Sequence, residues 1–123
     1  MYSICFDEKN EILQVTFSRT IDKKEVLNYL TSLVTNENLP QHLKIIQDFT
    51  DAKYNFEITD LNRIAKKVKH HLRKFKTIKI ASIHDKSAET AMSLIFSSLI
   101  DSENLNYQLF INKESAFLWL ANE

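Results

Sequence analysis

The chain has 123 residues, with sixteen basic side chains against sixteen acidic ones, 44% hydrophobic residues and no glycine at all. Average usage of about 7% would supply roughly nine glycines. Their absence excludes phosphate-wrapping loops, the GxGxxG fingerprint and the nucleophile elbow, because each needs a residue without a Cβ.

Tyr2–Phe6 and Ile12–Ser18 read as strands, with Ile4 and Phe6 on one face of the first and Leu13, Val15 and Phe17 on one face of the second. The polar stretch between them makes a hairpin, and Asn10 is the residue best suited to a positive φ there. Asp22 followed by Glu25 opens a first helix over about 22–36, whose stripe is Val26, Leu27, Leu30, Leu33 and Val34. Leu43–Phe49 is apolar on both faces, the pattern of a central strand. Thr50–Ile58 is then the longest irregular stretch.

Thr59 is placed as the cap of a second helix with the stripe Leu61, Ile64, Ala65, Val68, Leu72 and Phe75. Thr77–His84 is the next strand, and Ser87 opens a third helix carrying Ala88, Ala91, Met92, Ile95, Phe96 and Leu99. Tyr107–Ile111 and a last helix over Glu114–Ala121, capped by Asn112, complete the order. The predicted fold is α/β: a mixed five-stranded sheet in ββαβαβαβα order, with an antiparallel hairpin first, parallel strands after it and four helices. A chain of this length forms one domain, 1–123.

Cys5 is alone and reads as a small buried hydrophobe, which fits a reducing compartment. The first residues lack the features of a signal peptide, and Ala88–Ile100 is too short and too interrupted to span a bilayer. A cytoplasmic protein without a membrane span is the expectation.

A first strand ending in Phe6-Asp7, an aspartate closing the third strand at Asp48, and a terminal helix reading Ala116-Phe117-Leu118-Trp119-Leu120 carry a family resemblance. On these residues and on its element order the chain resembles the STAS superfamily, in particular the SpoIIAA-like branch of anti-sigma factor antagonists. That resemblance implies a non-enzymatic regulatory module that acts by binding a partner protein, with no cofactor. Antagonist members carry Asp-Ser-Ser-Gly at the start of the second helix, where this chain reads Glu57-Ile58-Thr59-Asp60-Leu61. Thr59 is the hydroxyl left near that position, as a helix cap or as a phosphosite.

In open sheets of this kind ligands bind beyond the carboxyl ends of the parallel strands. Those ends present Asp48, Asp51, His84, Lys86 and Ser87, with Arg19 and Asp85 nearby, as a candidate binding site for a small or anionic ligand. His84 with Asp48 as an acid–base pair is the enzymatic alternative. Half of the basic residues fall between Arg63 and Lys79. Arg63, Lys66, Lys67, His70, Arg73 and Lys74 are expected to form a contact face for an acidic or regulatory protein, without the aromatic residues that nucleic acid would need.

The histidine pair His70 and His71 points in divergent directions on a helix, so no metal is expected. The third helix is apolar over a wider surface than one sheet contact requires. It is therefore covered by the last helix, met by a second subunit in a homodimer, or lined up against an apolar guest. The alternative to protein contact is accordingly a small-molecule or lipid carrier similar to SEC14-type domains, with a pocket between the third helix and the sheet.

Overall fold

A computed structural model describes residues 1–100 and 102–122. Its strands are β1 (Tyr2–Asp7), β2 (Ile12–Ile21), β3 (His42–Tyr54), β4 (Thr77–Ile83) and β5 (Leu105–Phe110). Its helices are α1 (Lys23–Thr35), α2 (Ile58–His71), α3 (Ser87–Leu99) and α4 (Lys113–Ala121), with a 3-10 turn at Leu72–Lys74. The sheet order is β1-β2-β3-β4-β5, antiparallel between β1 and β2 and parallel elsewhere. This is the mixed five-stranded sheet with four helices that the pattern predicts.

Because the strands follow one another in sequence order, right-handed crossovers place α1, α2 and α3 on the same face of the sheet. Their inner residues Tyr29, Leu33, Ile64 and Val68, with Ile100 just past α3, pack with Leu13, Val15, Phe17, Ile45 and Ile80 of the strands. Helix α4 takes the other face, where Ala116 and Leu120 meet Ile12, Ile46, Ala81 and Ile83. The last helix therefore does not cover α3. Leu94 and Ile95 of α3 stay exposed, while Met92, Phe96 and Ile100 turn inward.

Several local expectations change. The left-handed backbone in the hairpin falls on Glu11 (φ 55°) rather than on Asn10. Asn10 is held by Asp7, whose carboxylate accepts from its side-chain amide (2.8 Å) and from the Lys9 N–H (3.1 Å), so the sharp reversal moves one residue on. Cys5 is exposed, since it lies on the α4 side of the edge strand β1, beyond the strands that α4 chiefly covers. The cap of α2 is Glu57, not Thr59; the Asp60 carboxylate accepts from the Glu57 N–H at 2.9 Å, and Thr59 sits exposed within the first turn. Strand β5 runs over Leu105–Phe110, leaving Ile111 outside it and exposed.

The largest difference is in β3, which continues through the stretch predicted to be irregular and ends at Tyr54. Thr16 pairs with Asp48 but Ser18 pairs with Asp51, so β3 carries one extra residue there. The bulge resets the alternation, and Phe49, Ala52 and Tyr54 all reach the helix-covered face. No helix among the described residues is long and apolar enough to cross a membrane.

Candidate functional site

The strand-end residues do not converge. Asp48 follows Ile46 onto the α4 side, accepts from the Thr50 N–H and hydroxyl (3.0 and 2.8 Å), and faces Lys113 at 3.7 Å. Asp51 is exposed beside the bulge. The Lys86 ammonium donates to the Thr50 carbonyl, tying the start of α3 to β3, and lies 3.5 Å from Asp85. Ser87 is the exposed first residue of α3. His84 alone turns inward and is 2% exposed.

His84 stacks on Phe49 with ring centroids 4.8 Å apart, and Phe49 stacks in turn on Phe17 at 4.3 Å. Its Nε2 lies 2.7 Å from the Tyr54 hydroxyl and 2.9 Å from Ser93 Oγ, which are themselves 3.1 Å apart. Two hydroxyls directed at one nitrogen make Nε2 the acceptor and place the ring proton on Nδ1, a tautomer assigned from the network. Nδ1 is buried with no well-formed hydrogen bond. Burial drives the imidazole down to about 4, opposed by the neighbouring Ser82 backbone and by the charges of Asp48 and Asp85.

Chemically, His84 is a neutral hydrogen-bond acceptor at physiological pH and a weak base. The contact between Ser93 and His84 has the spacing of a nucleophile and its base, but no carboxylate orients Nδ1. Asp48 is no hydrogen-bond partner of His84, because consecutive reversals of side-chain direction along β3 put it across the sheet.

Beside this cluster, a cavity of ≈ 80 Å³ opens between the sheet and α1–α3. One water needs roughly 10–15 Å³ on this measure, so the space holds more than a single trapped solvent molecule. Phe17, Leu30, Leu33, Ile64, Val68 and Ile80 form much of its apolar lining, and half-buried Val26, Phe56, Met92 and Phe96 line it toward the surface.

A belt of neutral polar side chains crosses this otherwise apolar layer. Gln47 and Ser82 are register partners on β3 and β4, and Gln47 Nε2 donates to the Tyr29 hydroxyl at 2.8 Å. Tyr107 of β5 lines the same cavity near Ser82 and Ser93, and burial pushes its hydroxyl up to about 12. Burial also raises the Tyr29 and Tyr54 hydroxyls well above the ordinary tyrosine range. Ser82 Oγ is buried without a well-formed hydrogen bond among the described residues. Each such orphaned group costs about 1–3 kcal/mol relative to a satisfied one.

The sequence pattern hides this belt. Gln47 and Ser82 each interrupt strands that are apolar on both faces, which is the one signal available, and neither Tyr29, Tyr54, Ser93 nor Tyr107 stands out from its helix or strand pattern.

On the outer side of α2, Arg63, Lys66, Lys67, His70 and Arg73 are exposed. Lys74 is engaged elsewhere, donating to the Val34 and Asn36 carbonyls and so closing the end of α1. Lys79 donates to the Trp119 and Asn122 carbonyls at the end of α4, on the opposite side of the sheet. Thr59 lies beside the Glu57 and Asp60 carboxylates, which already occupy the amino end of α2. Among the described residues there is no cluster of three or more His, Cys, Asp or Glu arranged to hold a metal ion.

No protein-family model matches the chain, and no curated protein matches it significantly. Among solved structures it is similar to an uncharacterized protein of the DUF3478 family with a SpoIIAA-like fold from Shewanella loihica PV-4. The two share 14% sequence identity with a TM-score of 0.64, over 97% of this chain and 93% of the other. The fold is SpoIIAA-like.

Proposed function

We propose that this SpoIIAA-like domain is a non-enzymatic binding module that holds a small, mainly apolar molecule between its sheet and α1–α3. The observation that carries this reading is the cavity itself: an apolar space of ≈ 80 Å³ bordered by neutral polar groups, at a position where a well-packed core would be filled. The weak basicity of His84 and the lack of an orienting carboxylate argue against acid–base chemistry at the same place.

Helix α2 supports a regulatory role alongside it. Its inner face lines the cavity through Leu61, Ile64 and Val68, and its outer face displays the exposed cations from Arg63 to Arg73. A guest that shifts α2 thereby shifts a surface suited to an acidic protein partner.

Native mass spectrometry of the purified chain, followed by extraction of the denatured protein, tests the first part. A reproducible small molecule is expected, and Met92→Trp, which fills the cavity from its half-buried side, is expected to remove it. A chain that emerges empty and takes up none of a panel of small apolar compounds contradicts the proposal. Reversing Lys66, Lys67 and Arg73 to Glu is expected to abolish partner capture while leaving retention of the small molecule unchanged.

A further inference from the structure

We infer that the cavity selects an uncharged guest, a mainly apolar molecule carrying a hydroxyl or carbonyl group that the belt of Tyr29, Gln47 and Tyr107 recognises. This rests on the reading of the cavity as a ligand site and adds the chemical class of the ligand.

None of the described residues that line the cavity is charged. The neighbouring cations are committed or directed away: Lys86 to the Thr50 carbonyl, and the α2 lysines and arginines to the outer surface. A carboxylate or ammonium placed inside would lose its hydration without gaining a counter-charge. A neutral polar group meets the opposite situation. Gln47 spends one N–H on the Tyr29 hydroxyl, which leaves its own carbonyl and the proton of Tyr29 without a partner among the described residues. The Tyr107 hydroxyl also lines the cavity, beside the Ser82 and Ser93 hydroxyls.

Donor and acceptor capacity therefore survive either orientation of the Gln47 amide. Tyr54 and Ser93, by contrast, are already engaged with His84. The unmet capacity is concentrated at Gln47 and Tyr29, which both line the cavity. One hydroxyl or carbonyl group there satisfies groups that the protein leaves open, and the apolar lining accepts the rest of the molecule.

The test is a titration of the full chain, followed by amide NMR shifts at pH 7.5, with compact probes of matched shape: benzyl alcohol and acetophenone against benzoate and benzylammonium. The neutral pair is expected to bind at least tenfold more tightly, with shifts centred on Tyr29, Gln47 and Tyr107. Tyr107→Phe and Gln47→Leu are expected to erase the advantage of benzyl alcohol over toluene while toluene still binds. Equal or tighter binding of a charged probe in the cavity overturns the uncharged-guest inference but leaves the cavity as a ligand site. Failure of every probe, toluene included, overturns both readings.

Discussion

The two faces of this sheet are built to different rules. On the α4 side, Ala116 and Leu120 close over Ala81 and Ile83 with none of these four more than 1% exposed. On the side of α1–α3 the layer is larger, encloses a cavity and carries Gln47, Ser82, His84 and Ser93 in its interior. Polar groups buried with incomplete hydrogen bonding lower stability, and the two found among the described residues, Ser82 Oγ and His84 Nδ1, both lie on that face, the one proposed to bind.

That contrast is sharpest under truncation. Leu120→Ala is expected to destabilise the fold by about 2–5 kcal/mol in denaturant titrations, the range for deleting a fully buried leucine, without changing the affinity of any cavity probe. A loss of probe affinity in a still folded Leu120→Ala chain would break the separation of the faces.

The next effect is one of pH. His84 has a folded value near 4 against an ordinary 6.5, so the unfolded chain takes up a proton before the folded one does. Full stability is present above about pH 6.5 and is lost progressively as pH falls toward 4, by ~3 kcal/mol for a shift of this size. Asp48, Asp85 and Lys86 are the charges acting on the ring. His84→Gln keeps a polar group but removes the titration, so its stability curve is expected to be flatter than the parent's between pH 6.5 and 4. Parallel curves would show that the ring is not held neutral.

The smallest effect sharpens the meaning of the belt. Ser82→Ala removes a buried hydroxyl without a well-formed hydrogen bond among the described residues, and is expected to leave stability unchanged or raise it by up to about 1 kcal/mol. A loss of more than that on the same substitution would mean that the hydroxyl is satisfied in solution, and that this part of the polar belt beside the cavity is structural.

The layout was legible because its signals are local. Asp22 and Glu25 mark the start of α1 and Asn112 that of α4, period-two alternation identifies the hairpin strands, apolar stripes the first three helices, and an apolar run the central strand β3. The end of β3 was not, although Ala52, Tyr54 and Phe56 alternate with Asp51, Lys53 and Asn55. A bulge at Phe49–Thr50 changes the parity between the two halves of the strand, and parity is what a pattern reads. Missing that continuation also hid the site. Tyr54 meets His84 only because the strand runs on past the bulge, and Ser93 joins them from a helix face that otherwise reads as apolar. His84 itself was legible as a strand-end residue, but the partners that define its chemistry come from long-range pairing.

A crystal structure of the chain purified without stripping its bound molecules addresses the ligand cavity most directly. The account predicts electron density for a compact non-water molecule between α1–α3 and the sheet, with a polar atom within hydrogen-bond distance of Tyr29, Gln47 or Tyr107. Side chains closing that space, or ordered waters alone that no added compound displaces, would contradict it.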